Sequence, residues 1–436
     1  MMIQPKKIGI LTYTSNFNYG TFFQAYATLC AVRRQFPSSD VEMVNYNSKS
    51  KSQQIGYNKL NLARRHIYPP YLIKHLSKQS KYRATETRLL EINAAEAMIA
   101  DSYLASAEYI SEQQYDLVVV GSDTVLNFYE WNLRDQALPI YWLPQSLAAK
   151  KVMLSSSIGT ALDIDALDET TRQALRNSIE GFSMLGVRDE ITRDFIRDLA
   201  PHAKHKLDVI PDPTFSYTID NSYSESYLKK KGVNPDVSII GLDLPANLIG
   251  VGDAVKYLKS KGYAVASWRG ISEFADYDFS DIGPLEWSGI FKRFDITLTN
   301  RFHASIFSIK NGTPVITIDY KPNRISRSAR SKSSMLMDSF GLKDTNYRNI
   351  ADITDPSWVL NAIQAALDEP RTEELKLSIS RKNIEYDSYL CQISDLFKEQ
   401  GSPTLSHLVP PSQAPAGPLP LTAGRESTAP NQQERY

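Results

Sequence analysis

The sequence predicts an α/β protein built from two doubly wound domains, and three observations support this. The chain has 436 residues, which is too long for one compact core and indicates two domains. Short apolar runs bounded by polar turns recur along it, as is typical of strands buried on both faces of a parallel sheet. In the segments between these runs, apolar residues recur at the spacing of an α-helix. The first unit is a strand at Lys7–Tyr13, a helix at Thr21–Arg34 and a strand at Val41–Tyr46, which is the building block of a doubly wound sheet.

The same alternation continues through both halves of the chain. In the first half, further strands are predicted at Asp116–Gly121, Lys151–Ser155, Gly181–Val187 and Asp208–Ile210. In the second half, strands are predicted at Val237–Leu242, Gly262–Ser267, Asp295–Thr299 and Thr313–Asp319. The helices predicted there are Ala254–Lys259, Ala304–Lys310, Pro356–Leu367 and Thr372–Lys398.

We place the domain boundary near residue 215. Residues 1–215 form the predicted N-terminal α/β domain, and residues 216–400 form the C-terminal one with its closing helices. Residues 49–113 are rich in Lys, Arg, Tyr, Gln and Ala, with helical spacing over Thr85–Tyr103, and we interpret them as a helical excursion of the first domain. Residues 401–436 are rich in Pro and contain few large apolar side chains, so we expect a disordered tail.

The composition excludes several classes of function. The 49 basic and 49 acidic residues cancel, so no global field favours nucleic acid or an anionic membrane. Cys30 and Cys391 are too few for a disulfide framework or a Cys-rich metal site, and we expect a cytoplasmic protein. No stretch approaches the ~20 apolar residues that span a bilayer. No Gly-rich phosphate loop, metal-type His/Cys spacing or Gly-x-Ser-x-Gly elbow is present, so nothing calls for a metal.

The segment most suited to chemistry is Thr299–His303, where a predicted strand ends and a helix begins. Ligands of open α/β sheets bind outside the carboxyl ends of the strands, and a helix N-terminus offers unpaired N–H groups to an anion. Arg301 and His303 at this position suit a phosphate or a carboxylate. The alternative is that Arg301 forms a surface ion pair and His303 is a packed helix residue.

Arg188 also follows a predicted strand. A local salt bridge with Asp189 or Glu190 is the structural alternative to anion binding.

Several segments together resemble the polysaccharide pyruvyl transferase family. The block Arg301-Phe302-His303, followed by Ile306-Phe307 and Gly312–Ile316, resembles the Arg–aromatic–His block of that family. The other matching segments, in the family's order, are Asn18-Tyr19-Gly20, Gln24-Ala25-Tyr26, Val120–Asp123, Ser155–Gly159, Val187–Glu190 and Asp212-Pro213-Thr214. The resemblance runs from about Lys7 to Tyr320. Each piece is short, and the specificity comes from their order and spacing.

The resemblance implies a glycosyltransferase-B-like architecture, in which two Rossmann-like domains face a cleft and the C-terminal helix packs back on the first domain. It implies phosphoenolpyruvate as the donor and a sugar, oligosaccharide or lipid-linked glycan as the acceptor. The product would be a cyclic pyruvate ketal, made in glycan or exopolysaccharide biosynthesis. Phosphoenolpyruvate is then a co-substrate, and no cofactor is expected.

The resemblance and the chemistry of the donor also suggest site residues. His303 is the expected catalytic residue, because histidine exchanges protons near neutral pH. The expected donor-binding residues are Arg188, Arg301 and either Lys321 or Arg324. The expected acceptor-binding residues are Asn16, Asn18, Gly20, Asp123 and Ser155.

For several of these residues a structural role remains open. Asp123 would bind a sugar hydroxyl or cap the next helix. Gly20 would allow a close backbone approach or form a plain turn. Lys321 and Arg324 would lie in a solvated basic loop or in a loop that closes on the donor phosphate. Two other functions also fit the fold class: a nucleotide-sugar-dependent glycosyltransferase and a non-catalytic sugar-binding relative.

Overall fold

A computed structural model of the chain describes most of one compact unit, which extends over residues 1–399. The described residues are 4–14, 17–48, 69–92, 97–100, 102–127, 138–159, 164–245, 247–268, 274–319 and 331–398. The predicted disordered tail, together with Asn16, Lys321 and Arg324, lies outside these ranges. The predicted domain boundary near residue 215 stays a prediction.

The first half of the chain forms a six-stranded parallel sheet with the order β2-β1-β5-β6-β7-β8. Its strands are β1 Lys7–Leu11, β2 Asp40–Met43, β5 Leu117–Val120, β6 Lys150–Ser156, β7 Met184–Val187 and β8 Leu207–Val209. Leu117 and Val119 of β5 pack into one hydrophobic cluster, and Val118 and Val120 pack into another. Both faces of the sheet are therefore buried, which explains the continuous apolar runs in the sequence.

The second half forms another six-stranded parallel sheet, with the order β11-β10-β9-β12-β13-β14. Its strands are β9 Ile239–Asp243, β10 Ala264–Ser267, β11 Tyr277–Asp278, β12 Ile296–Thr299, β13 Val315–Asp319 and β14 Tyr347–Asn349. Parallel neighbours require crossover connections, and helices supply them.

The α-helices of the described residues are α1 Tyr19–Gln35, α2 Pro69–Leu90, α3 Tyr103–Glu112, α4 Glu169–Gly181, α5 Glu190–Leu199, α6 Asn221–Lys230, α7 Val251–Ser260, α8 Pro284–Ile290, α9 Phe302–Lys310, α10 Lys332–Ser339, α11 Lys343–Asn346, α12 Ser357–Asp368 and α13 Thr372–Asp395. None of the described helices is long and apolar enough to cross a membrane.

The predicted excursion contains α2, α3 and a small parallel pair formed by β3, Tyr46–Ser48, and β4, Met98–Ala100. The helical spacing over Thr85–Tyr103 is misleading. Helix α2 ends at Leu90, and Glu91 has a left-handed backbone with φ 54° that cannot continue it. The chain then enters β4 before α3 begins.

Several contacts join the halves of the compact unit. Helix α13 returns to the first sheet, where the buried Tyr389 hydroxyl donates to the carbonyl of Met153 in β6 at 3.1 Å. Helix α1 packs on the second half through Phe23, whose ring centroid lies 4.9 Å from that of Phe307 in α9. These contacts fix the carboxyl ends of the two sheets relative to each other.

Candidate active site

Three polar side chains follow strand ends in the two sheets. Arg188 comes directly after β7, and Asp212 comes three residues after β8 ends at Val209. His303 lies in the first turn of α9, which begins shortly after β12 ends at Thr299. The carboxyl ends of parallel strands are where ligands of open α/β folds bind. The topology therefore brings an Arg, an Asp and a His toward one place.

Asp212 joins Arg188 and His303. Nη1 of Arg188 lies 3.4 Å from Oδ2 of Asp212, and Nε2 of His303 lies 3.6 Å from the same oxygen. The side chains of Arg188 and Asp212 are only 4% and 2% exposed, and that of His303 is 12% exposed. The guanidinium of Arg188 also lies 5.3 Å from the ring centroid of Phe302. Arg188 and His303, which are remote in sequence, therefore meet at Asp212, and we call these three residues the buried cluster.

Asp212 is held as a carboxylate by its neighbours. Nε2 of Gln24 donates to Oδ2 at 2.7 Å, and the backbone N–H and hydroxyl of Thr214 donate to Oδ1 at 3.0 and 2.6 Å. Burial alone would raise the pKa of Asp212, but His303, Arg188 and Thr214 outweigh it and hold the pKa well below its usual range. In the sequence, Asp212 is notable only as part of the segment Asp212-Pro213-Thr214. The structure shows that its carboxylate joins Arg188 and His303.

Two buried nitrogens of the cluster lack hydrogen-bond partners among the described residues: Nη2 of Arg188 and Nε2 of His303. At 3.6 Å from Asp212, Nε2 is beyond ordinary hydrogen-bond length. Buried polar groups in native proteins are nearly always hydrogen-bonded. Orphan donors at strand ends, where α/β proteins bind ligands, therefore favour a polar or anionic ligand at this point.

Gly20 makes room for His303. An added Cβ at Gly20 would stand 1.9 Å from Nδ1 of His303, so only glycine allows the imidazole to lie against α1. The predicted close approach at Gly20 is thus observed, and the alternative of a plain turn is wrong because Gly20 lies in α1. Asn18 is the N-cap of this helix, and its Oδ1 accepts from the N–H of Gly20 at 3.0 Å.

Asp123 lies near the same cluster, three residues after β5 ends at Val120. Its Oδ2 accepts from the hydroxyl of Thr21 at 2.8 Å, and its Oδ1 accepts from the N–H of Thr124 at 2.7 Å. Burial alone would raise the pKa of Asp123, but the charges of Arg188, Lys332 and His303 lower it overall. Among the described residues 124–127 no helix begins, so the helix-capping alternative for Asp123 is wrong there.

Ser155 makes a structural contact beside the buried cluster. Its hydroxyl donates to the carbonyl of Pro211 at 2.6 Å and so holds the segment that leads into Asp212. Its backbone is left-handed, with φ 57°. The acceptor-binding roles of Ser155, Asn18, Gly20 and Asp123 stay predictions. Asn16, Lys321 and Arg324 lie outside the described residues, and so do any contacts they make.

The local salt bridge considered for Arg188 is not formed. Oδ1 of Asp189 accepts from the N–H of Thr192 at 2.9 Å and caps α5, and its Oδ2 accepts from the hydroxyl of Ser157 at 2.5 Å. Glu190 instead approaches Arg193 at 3.8 Å. Arg188 therefore takes its carboxylate from Asp212, 24 positions further along the chain.

Arg301 differs from Arg188 in being exposed. Its backbone N–H donates to the hydroxyl of Thr299 at 3.0 Å, which turns the chain from β12 into α9. Within the part of the chain that the structure describes, Arg301 has no carboxylate within 4 Å, so the surface ion pair considered for it is absent there. Lys332, at the start of α10, lies 5.7 Å from the ring centroid of Phe302 and adds another cation beside the cluster.

Among the described ranges, the structure contains no group of three or more His, Cys, Asp or Glu side chains that would hold a metal ion. The charged and titratable groups observed at the site are its cations, the imidazole of His303 and the two buried carboxylates of Asp123 and Asp212.

Comparison with solved structures shows the fold. A structure of MnaA from S. aureus with UDP is 12% identical, covers 90% of this chain and 96% of that chain, and has a TM-score of 0.50. A protein from Listeria monocytogenes described as a UDP-N-acetylglucosamine 2-epimerase is 11% identical, covers 92% of this chain and 99% of that chain, and has a TM-score of 0.52. Together with the two parallel sheets, these similarities confirm the predicted glycosyltransferase-B-like class.

Two further comparisons concern the sequence itself. No match is found among curated proteins. The model of the family described as polysaccharide pyruvyl transferase matches residues 18–322, which is more than half of the chain. The matched region includes Arg188, Asp212 and His303.

Proposed function

We propose that this chain, which belongs to the polysaccharide pyruvyl transferase family, transfers the enolpyruvyl group of phosphoenolpyruvate to two hydroxyls of a sugar. The product is a cyclic pyruvate ketal, and inorganic phosphate is released. The observation that carries the proposal is the meeting of Arg188, Asp212 and His303 at the strand ends, where two buried nitrogens have no hydrogen-bond partner among the described residues.

The donor carries a phosphate and a carboxylate, and both need cations. Arginine suits either group because its planar guanidinium pairs two oxygens at once. Nη2 of Arg188 has no hydrogen-bond partner, and Arg301 has no carboxylate within 4 Å, among the described residues. We assign both to donor binding. Lys321 and Arg324 remain candidates for the same role on the basis of the family resemblance.

The chemistry requires balanced proton transfers. A proton adds to the methylene carbon of the enolpyruvyl group, and a sugar hydroxyl attacks the neighbouring carbon. A second hydroxyl of the same sugar then displaces phosphate, which closes the ketal ring. The two hydroxyl protons replace the one used at carbon and the one that leaves with phosphate. His303 is the proposed proton donor, since histidine exchanges protons near neutral pH.

The buried carboxylates have different proposed roles. Asp212 accepts no ligand contact in this scheme, because its oxygens are already used by Gln24, Thr214 and Arg188; it keeps the guanidinium and the imidazole in position. Asp123, Asn18, Gly20 and Ser155 form the proposed acceptor side, and Asn16 is assigned to it on the basis of the family resemblance. The acceptor is a sugar, an oligosaccharide or a lipid-linked glycan of a polysaccharide pathway.

The test is a coupled assay of phosphate release with phosphoenolpyruvate and a panel of β-galactosides and N-acetylhexosamines. We expect phosphate release together with a gain of one pyruvyl group in the mass of one acceptor. His303→Gln removes the proton donor, so we expect the turnover number to fall about 10²- to 10⁴-fold while phosphoenolpyruvate still binds. Failure of the wild-type protein to bind phosphoenolpyruvate or to release phosphate with any acceptor would contradict the proposal.

The same preparation distinguishes the two other functions. A nucleotide-sugar-dependent glycosyltransferase would be stabilised against thermal unfolding by uridine, guanosine or cytidine diphosphate rather than by phosphoenolpyruvate. A non-catalytic sugar-binding protein would bind the same ligands with and without His303. The proposed transferase is expected to respond to phosphoenolpyruvate in the first measurement and to depend on His303 in the assay.

A further inference from the structure

Helix α2 presents three lysines on one face, and their environments differ. The spacing of Lys74, Lys78 and Lys81 places their side chains along one side of the helix. The ammonium of Lys74 bonds the carboxylate of Asp278, and that of Lys81 donates to the carbonyl of Asp281 at 2.8 Å. These two lysines therefore attach α2 to the second half of the chain. Lys78 lies between them and has a different partner.

Lys78 is half-buried, and its ammonium lies 4.9 Å from the ring centroid of Tyr19 in α1. Tyr19 is fixed in turn, because its hydroxyl donates to the carbonyl of Ile282 at 2.6 Å. Across the described ranges, Lys78 has neither a carboxylate within ion-pair distance nor a hydrogen-bond acceptor. An ammonium that packs on an aromatic face and has no hydrogen-bond acceptor among the described residues leaves its three N–H donors for a ligand.

Lys78 also lies near the candidate site, because Tyr19, whose ring its ammonium contacts, directly precedes Gly20, and Gly20 lies against the imidazole of His303. Burial lowers the pKa of Lys78, the charge of Asp243 opposes this change, and the charge of Arg301 lowers the pKa further. Asp243 ends β9 and accepts from Thr299 at 3.2 Å, directly before Arg301. Within the described part of the chain, Lys78 and Arg301 have no carboxylate within ion-pair distance, and an anion bound between them would relieve their mutual repulsion.

We propose that Lys78 and Arg301 form an anion subsite for one of the two acidic groups of the donor, while Arg188 and His303 contact the other. This rests on the proposed function, because phosphoenolpyruvate has two such groups. It assigns part of the predicted helical excursion to donor binding. Lys78 does not stand out in the sequence, because none of the short segments that carry the family resemblance lies within residues 49–113.

The test is calorimetric titration of the full chain with phosphoenolpyruvate. We expect Lys78→Met to weaken binding about tenfold or more, since a charge-assisted contact is lost, and Lys78→Arg to restore most of it. Lys74→Met is the matched control: it breaks the contact with Asp278 on the same face of α2 but leaves the subsite intact. If Lys74→Met weakens binding as much as Lys78→Met, docking of the helix explains the effect and the subsite is wrong.

Probes with one acidic group show which part of the donor binds there. Weaker binding of inorganic phosphate to Lys78→Met assigns the phosphate to the subsite, and weaker binding of pyruvate assigns the carboxylate. Unchanged binding of phosphoenolpyruvate to Lys78→Met overturns the proposal even if phosphate release by the wild-type protein supports the transferase function. If that function fails, the titration with inorganic phosphate decides the subsite alone. A higher KM for the sugar, with unchanged donor affinity, also overturns it, because the anion would then belong to the acceptor.

Discussion

The cations of the buried cluster and those of the proposed Lys78–Arg301 subsite differ in what balances their charge. Arg188 is almost fully buried and has the carboxylate of Asp212 at 3.4 Å. Arg301 is exposed, and Lys78 is half-buried against Tyr19; among the described residues neither has a carboxylate partner. The buried cluster is therefore neutralised before any substrate arrives, whereas the subsite is not.

This difference suggests a division of labour. A buried ion pair fixes geometry, because breaking it leaves an uncompensated charge in a poorly hydrated place. Preorganised groups of this kind stabilise a transition state without rearranging during the reaction. Cations without a protein partner instead gain most when an anionic ligand binds. We therefore expect changes in the buried cluster to affect stability and turnover, and changes in the subsite to affect donor affinity.

Asp212→Asn is expected to have the largest effect, because Arg188 would lose its carboxylate partner and remain buried as an unpaired cation. Removing one partner of a buried pair typically costs about 3–5 kcal/mol, and we expect the free energy of unfolding in urea to fall by that amount. The pKa of Asp212 is lowered in the folded chain, so on acidification the unfolded chain takes up the proton first. The stabilising contribution is thus complete above about pH 4 and is lost as the pH falls further.

A surface carboxylate provides the control for Asp212. Asp387 pairs with Arg34 at 2.5 Å, and both side chains are more than half exposed. Asp387→Asn should therefore change the free energy of unfolding by less than about 1 kcal/mol. An equal loss in the two variants would mean that the buried pair does not anchor the cluster, and the proposed division of labour would be wrong.

Gly20→Ala tests the position of His303 alone, because it displaces the imidazole without changing any charge. The added methyl group would stand 1.9 Å from Nδ1 of His303, so the ring must shift. A displacement of about 1 Å can lower a rate on the order of 10²-fold, and we expect a loss of that size in the turnover number for phosphate release. Alanine is favoured over glycine inside a helix by about 1 kcal/mol. We therefore expect thermal stability to change much less than the turnover number.

Gly232→Ala serves as the control, because an added Cβ there has no atom within 4 Å. Its backbone φ of 67° makes the change mildly destabilising, but it lies away from His303 and should leave the turnover number unchanged. Full turnover in Gly20→Ala would show that the position of the imidazole does not limit the reaction.

The strand positions were predictable because buried strands leave a local signal. The strand predicted at Lys151–Ser155 is observed at Lys150–Ser156, and the one predicted at Asp295–Thr299 is observed at Ile296–Thr299. Both are buried on two faces: the first contains the apolar run Val152–Leu154, and the second alternates apolar residues with buried threonines. Strand β14, Tyr347–Asn349, pairs only with β13 at the edge of its sheet and has no apolar run, so the sequence does not indicate it.

The site was predictable only in part, because charge pairing depends on tertiary structure. Arg188 and His303 stand out in the sequence, since both follow predicted strands. The carboxylate partner of Arg188 does not stand out in the sequence. The acidic residues next to Arg188 make other contacts, and Asp212 reaches it because β8, which precedes Asp212, pairs with β7, which precedes Arg188. The spacing of the three lysines of α2 is visible in the sequence. The structure adds that Lys74 and Lys81 pair with Asp278 and Asp281, whereas Lys78 has no carboxylate within ion-pair distance among the described residues.

Lys310 offers the smallest and most specific test. Its ammonium is a buried cation that has no carboxylate within ion-pair distance among the described residues. It ends the helix that begins with Phe302 and His303, and its ammonium donates to the carbonyls of Thr214, Phe215 and Tyr217, just after Asp212. One helix therefore contacts the Asp212 turn at both ends. Burial lowers the pKa of Lys310 to about 7, although the charge of Asp212 opposes the change.

The sign of the pH dependence follows from that shift. Between about pH 7 and pH 10 the unfolded chain binds a proton at this lysine that the folded chain has lost, so stability should rise with pH by up to ~1.4 kcal/mol per unit. Lys310→Met removes the titrating group. The free energy of unfolding of the wild-type protein, minus that of the variant, should therefore increase between about pH 7 and pH 9 in urea titrations. A pH-independent difference would mean that the ammonium stays charged in the fold, and that its three carbonyl acceptors balance it as well as Asp212 balances Arg188.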